Sequence, residues 1–143
     1  MQMRIFKKIN NNKKQFPLKS RTNDNLKNYI VAGGCGFIGS HFVANLLEQG
    51  FFVTVIDDQR QGTVFFKHEN VEYHKAEVST FKPHHATIEP PACIFHLANS
   101  PRVRRALEYP SETITNNIAT TATVADWARI FNCKLFFCNI FAR

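Results

Sequence analysis

The sequence predicts an α/β protein: a doubly wound parallel sheet, incomplete, with about five strands in the order 3-2-1-4-5. Short apolar runs rich in β-branched and aromatic residues alternate with stretches of helical period along the chain. Glycines crowd the step from the first apolar run into the first helical stretch, and an acid stands at the end of the second run. Strands alternating with helices build βαβ units, and right-handed crossovers between those units lead to this order.

Residues 28–32, NYIVA, read as a short buried strand running into the glycines. Residues 39–49 carry apolar side chains at 42, 43, 46 and 47, one face of a helix that Gly50 ends. Residues 51–58, FFVTVIDD, form the second strand, and 59–70 form a loop. Residues 71–78, VEYHKAEV, are a short third strand. Residues 79–90 hold Pro83 and Pro90 with Pro91 just beyond, which leaves a loop or a broken helix. Residues 92–98, ACIFHLA, are the fourth strand. Residues 110–130 are helical, with Pro110 near the start and Ile114, Ile118, Val124 and Trp127 facing inward. Residues 134–140, KLFFCNI, are the fifth strand.

A chain of 143 residues suits one domain, and 44% hydrophobic content with 14 Phe suits a buried core. No apolar run reaches about 18 residues, so no membrane span is expected. The net charge of +7 sits in residues 1–27, which hold eight basic side chains and Asp24. Residues 28–143 hold ten charges of each sign, which argues against nucleic-acid binding by the folded body. The Asn- and Lys-rich tail has the composition of a disordered segment. Its basic, acid-poor character with spaced Met3, Phe6 and Ile9 also fits organelle targeting, and weak contact with an anionic surface is a third reading. Cys35, Cys93, Cys133 and Cys138 form no C-x-x-C pair and read as reduced thiols of a cytoplasmic protein. No Cys/His cluster has zinc spacing, so no metal is expected, and His84–His85 read as solvated.

The glycines lie in VAGGCGFIGSHF, residues 31–42, with Gly33, Gly36 and Gly39 at G-x-x-G-x-x-G spacing. In such a turn Gly33 permits the reversal from strand to helix, Gly36 lets backbone approach a pyrophosphate, and Gly39 lets the helix pack on the strand. The helix N-terminus offers unpaired N–H groups and a positive dipole end to the phosphates. Asp57 lies 18 residues past Gly39, where a carboxylate accepts hydrogen bonds from the adenosine ribose and repels a 2′-phosphate. NAD is therefore expected over NADP, although Arg60 is of the type that accommodates that phosphate. Cys35, inside the turn, is either a small space-filler or a thiol whose pKa the helix N-terminus lowers.

Here the chain resembles the NAD-dependent epimerase/dehydratases of nucleotide sugars, extended short-chain dehydrogenase/reductases with a Rossmann-type fold. AGGCGFIGSH is similar to that family's TGGxGFIGSH turn, and VIDDQRQG to its V-x-D-N-x-x-x-G segment, with Asp58 in the Asn place. VEYHKAEV resembles V-x-F-x-x-G-D-V, with Glu77 for the Asp, and FHLAN resembles F-H-L-A-A. Pro110 and Asn117, 14 and 21 residues past His96, fit the N-P and N-N-x-x-G-T elements, with Thr120 in the Gly place and Thr121 keeping the Thr. The resemblance spans residues 28–138 and makes 28–143 a partial NAD-binding domain. It implies that Gly33, Gly36, Phe37 and Ile38 contact the pyrophosphate and Asp57 the ribose, with Gly39 and Asp58 also in the cofactor-binding set. Glu77 and Val78 would border the adenine. Leu97, Ala98 and Asn99 would follow the cofactor toward the nicotinamide, with Asn117 nearby. Core packing is the competing role for Phe37, Ile38 and Leu97, and His96 reads as a buried strand histidine. HLANSP and ETITNN lean toward the UDP-glucuronate decarboxylase branch.

The family's chemistry implies a Tyr-x-x-x-Lys pair whose Tyr acts as a base, because an unassisted Tyr with pKa about 10 is too weak for that task. The residues four after Tyr29, Tyr73 and Tyr109 are Gly33, Glu77 and Thr113, and no Ser or Thr follows Thr123, where Asn139 and Ile140 stand near the hydroxyl's place. These residues are therefore expected to bind NAD without a catalytic set of their own, and a nucleotide sugar only if a further C-terminal part completes them. A stand-alone NAD-binding or regulatory module and a non-functional remnant remain the other readings. The hydrophobic fifth strand is an open edge, expected to recruit a partner, the same chain or another, or to leave the protein marginally stable.

Overall fold

The computed structural model describes residues 27–61, 64–83, 88–99 and 103–138. The basic tail, apart from Lys27, lies outside the described residues, as do His84–His85, Asn139 and Ile140. The elements are β1 (Asn28–Ala32), α1 (Phe37–Glu48), β2 (Phe52–Asp57), β3 (Val71–Lys75), β4 (Cys93–His96), α2 (Val103–Glu108), α3 (Pro110–Phe131) and β5 (Lys134–Phe137). The strands form one sheet in the order β3-β2-β1-β4-β5, every pairing parallel. This is the topology the sequence predicts.

β1 is central, and its neighbours cover both edges, so after Asn28 it reads as the apolar run YIVA. Its side chains alternate between two cores. Ile30 and Ala32 pack with Ile56, Ile94, Val124 and Trp127, while Val31 packs with Val43, Leu46, Leu47, Val53 and Val55. Helix α1 thus holds one face of the sheet and α3 the other. Gly50, at φ +79, closes α1: its N–H donates to Leu47 O at 3.0 Å, and the Phe51 N–H donates to Leu46 O at 3.1 Å. That double bond is the left-handed glycine termination of a helix.

Four expectations need correction. Ile114 and Ile118 are 57% and 63% exposed. The inward row of α3, traced back from Trp127 and Val124 at helical period, passes through Thr120, Asn117 and Thr113. Its first half faces the cleft described below, so its inward side chains there are polar. Second, β3 ends at Lys75 rather than at 78; the Ala76 N–H still reaches Asp57 O at 3.1 Å, and Val78 is buried outside the ladder. Third, β4 ends at His96, where the chain bends over β1 after the Leu97 N–H donates to Ala32 O at 2.8 Å. Fourth, the short helix α2 was not expected; it carries an Arg104–Glu108 pair at 3.2 Å one turn apart. Strand β5 lies at the sheet edge with Leu135, Phe136 and Phe137 exposed.

Candidate functional site

The C-terminal ends of the parallel strands release four short segments, residues 33–36, 58–61, 76–79 and 97–99, around one cleft. Open α/β sheets hold their ligands at such strand ends. The cleft has a volume of about 470 Å³. The glycine turn supplies Gly33, Gly36 and Gly39 to its wall, and the start of α1 adds Phe37 and Ile38. The end of β2 adds Asp57 and Asp58, the segment after β3 adds Glu77 and Val78, the segment after β4 adds Leu97, Ala98 and Asn99, and α3 adds Asn117. The structure therefore gathers around one cleft the residues that the family resemblance marked for cofactor contact.

The three glycines do different work. Gly33 sits at φ +85, and a Cβ there would lie 2.6 Å from Ala98 N, so the turn excludes any side chain. A Cβ on Gly39 would lie 2.1 Å from Gly33 O. Gly36 is different: it has ordinary extended backbone, φ −74 and ψ 177, and a Cβ there would meet only Gly33 O at 3.6 Å. The fold leaves room at Gly36; only the cleft side would feel the added methyl. Gly34, not singled out from the sequence, packs against Val55 on β2, where a Cβ would lie 2.6 Å from Val55 Cγ1. Helix α1 begins without a side-chain cap or an acid in its first turn, so its opening N–H groups have no such partner. Phe37 and Ile38 are 83% and 53% exposed, which rules out core packing for both, whereas Leu97 packs partly against the α1-side core.

Asp57 ties β2 to the glycine turn. Its Oδ2 accepts the Cys35 N–H at 3.0 Å and its Oδ1 accepts the Gln59 N–H at 2.7 Å. Burial raises its pKa, and these two hydrogen bonds oppose the rise. Cys35 is fully buried, and burial, helped by Asp57 and Asp58, pushes its thiol up to about 12. A thiol lowered by the helix N-terminus is thereby corrected: Cys35 is the space-filler. His96 is fully buried, its Nε2 lies 3.2 Å from Thr121 Oγ1, and burial lowers its pKa to about 4, as suits a neutral strand histidine.

Arg60, Gln61, Glu112, Asn116, Thr120 and Cys138 also line the cleft. Cys138 extends β5 as Leu97 extends β4, so the strand-end rule would have found it. The Thr120 hydroxyl donates to the Asn116 and Asn117 carbonyls at 2.9 and 3.1 Å. Asn99 Nδ2 donates to Cys138 O at 3.0 Å and joins two strand ends. None of the three tyrosines lines the cleft. Tyr29 packs edge-on against Phe51, Tyr109 is exposed, and the Tyr73 hydroxyl accepts the Phe66 N–H at 2.9 Å while burial pushes its pKa up to about 12. Among the described residues, no group of three or more His, Cys, Asp and Glu side chains has metal-holding geometry, and no helix is long and apolar enough to cross a membrane.

A parallel sheet in this order, with a glycine turn feeding a helix N-terminus at a strand-end cleft, is a Rossmann-type fold. More specifically, the chain belongs to the NAD dependent epimerase/dehydratase family, which it matches over residues 29–139. It is 28% identical over 118 residues to a UDP-glucose 4-epimerase of Cyamopsis tetragonoloba, an alignment covering 73% of this chain and 33% of that protein. Its structure superposes on the UDP-glucose 4-epimerase of Thermotoga maritima with UDP-glucose at a TM-score of 0.70 and 27% identity, over 77% of this chain and 37% of the other. It also superposes on a Bordetella bronchiseptica enzyme in complex with NAD+ and UDP at a TM-score of 0.69 and 25% identity, over 78% of this chain and 35% of the other. The chain thus spans about a third of the length of these relatives.

Proposed function

We propose that this chain binds NAD in the strand-end cleft, as the cofactor-holding portion of an enzyme that epimerises, dehydrates or decarboxylates a nucleotide sugar. The single observation that carries the reading is the convergence of the glycine turn, Asp57 and the strand-end segments on one cleft. The residues present suit the cofactor. Gly36 leaves a gap beside the uncapped start of α1, which fits a pyrophosphate. Asp57 has lone pairs beyond the two it uses in the turn, which fits a ribose diol. Val78 and Ala98 offer apolar walls to the flat rings.

NAD, once bound, supplies a hydride acceptor and donor. This chain's residues bind and orient it. Among the described residues no tyrosine reaches the cleft to act as a base: all three lie outside it, and Tyr73, in the α1-side core, has its pKa raised by burial. Binding without turnover is the expected behaviour of these residues alone. Incubation with NAD and UDP-glucose, followed by separation of the sugar nucleotides, tests it. Bound NAD with UDP-glucose unchanged supports the reading; epimerised product would overturn the absence of a catalytic set, and a folded chain that binds no NAD would overturn the reading as a whole.

A further inference from the structure

The ribose end of the cleft holds an arrangement that Asp57 does not explain. Asp57 is nearly buried, and both its oxygens already accept backbone N–H groups. The groups beside it are Asp58, Arg60 and Glu77. Arg60 is the one cation among the described cleft-lining residues, against Asp57, Asp58, Glu77 and Glu112. An arginine beside a ribose-binding acid is the side chain that takes an adenosine 2′-phosphate through two parallel hydrogen bonds. Here the guanidinium is engaged elsewhere. Its Nε lies 2.6 Å from Asp58 Oδ2, and its Nη2 lies 3.7 Å from Glu77 Oε1. The Arg60 backbone N–H donates to Asp58 Oδ1 at 2.8 Å, so one carboxylate grips both the backbone and the side chain of the same residue. The left-handed Gln59, φ +62, sets this two-residue grip.

We infer that Asp58 and Glu77 hold Arg60 away from service as a phosphate receptor, and that this tether, together with Asp57, makes the cleft select a dinucleotide with an unmodified adenosine 2′-hydroxyl. The inference rests on the NAD-binding reading above. A 2′-phosphate brings about −1.5 to −2 charge. It would enter a cleft whose acids outnumber its single cation, and would compete with two carboxylates for that cation. The side chains involved are partly exposed, 61% for Arg60, 34% for Asp58 and 43% for Glu77, so the tether can be removed without opening the core.

The test is isothermal titration of the chain with NAD and with NADP. Four proteins are compared: the wild type, Glu77→Gln, the double variant Asp58→Asn/Glu77→Gln, and that double variant carrying Arg60→Ala. Asn at 58 keeps an oxygen for the Arg60 N–H. The wild type is expected to prefer NAD. The double variant is expected to bind NADP about tenfold more tightly than the wild type does. Arg60→Ala should abolish the gain. Glu77→Gln, whose side chain touches only Arg60 and Ser79 among the contacts seen, should give a smaller gain in the same direction. NAD binding with unchanged NADP affinity in the double variant would overturn the inference alone, as would a gain that survives Arg60→Ala. A folded wild type that binds neither dinucleotide would overturn the reading beneath it.

Discussion

Replacing Gly36 with alanine separates the cleft from the fold. At φ −74 and ψ 177 any residue is comfortable, and the new Cβ would meet only Gly33 O at 3.6 Å, an ordinary contact. A Gly→Ala change at such a site stabilises by about 0.4–1 kcal/mol, by restricting the unfolded chain. In a domain of this size that is a melting temperature unchanged or raised by roughly 2–8 °C. The methyl projects where backbone would approach a pyrophosphate, so NAD affinity should fall about tenfold or more, at least ~1.4 kcal/mol. Gly39→Ala is the control. Its Cβ would lie 2.1 Å from Gly33 O and 2.8 Å from Gly34 Cα, overlaps with backbone that no rotamer relieves. It should cost about 3 kcal/mol or more despite the better helix propensity of alanine. Urea melts and NAD titrations on both variants measure the contrast. Wild-type NAD affinity in Gly36→Ala would refute the reasoning, and so would a Gly36→Ala protein as unstable as Gly39→Ala.

Three further outcomes follow from the same structure. His96 has its pKa lowered to about 4 from 6.5 by burial, so the folded state binds fewer protons than the unfolded state between those values. Its stabilising contribution is complete above pH 6.5 and is lost as pH falls through about 4, some 3 kcal/mol in all at ~1.4 kcal/mol per unit. Chemical melts from pH 7 down to 4 should lose that stability in the wild type but not in His96→Gln, and equal slopes would refute the assignment. With its thiol pKa near 12, Cys35 exposes about one thiolate in ten thousand at pH 8 and is buried besides, so native alkylation should spare it until unfolding; rapid labelling at Cys35, located by mass spectrometry, would contradict this. Phe136→Lys, on the exposed β5 edge, should weaken any self-association about tenfold in sedimentation experiments. A wild type that stays monomeric and melts cooperatively would remove the basis for that expectation.

The β1–turn–α1–β2 unit was legible because its cues agree. YIVA is covered on both faces and reads apolar, and Gly33, Gly39 and Gly50 stand where backbone demands them. The cleft wall was legible residue by residue for a related reason: it is built from strand ends, whose order follows from the βαβ pattern. The first half of α3 was misread because hydrophobicity marks an inward face only where that face meets apolar core. Thr113, Asn117 and Thr120 face inward toward the polar end, which leaves Ile114 and Ile118 outside. The state of Cys35 was not legible, since the sequence placed it near a helix N-terminus but could not reveal its complete burial or the two acids beside it. The tether on Arg60 was equally hidden, because it depends on a left-handed Gln59 and on Glu77 arriving from the segment after β3.

The central claim is that this chain holds NAD between the start of α1 and the ends of β1, β2 and β4. Calorimetric titration of the wild-type chain with NAD tests it most directly, read together with its melting temperature. The account predicts a saturable one-to-one isotherm and, at about 100 times Kd, roughly 2.7 kcal/mol of added stability. A folded chain that gives neither heat nor a melting shift at saturating NAD would contradict it.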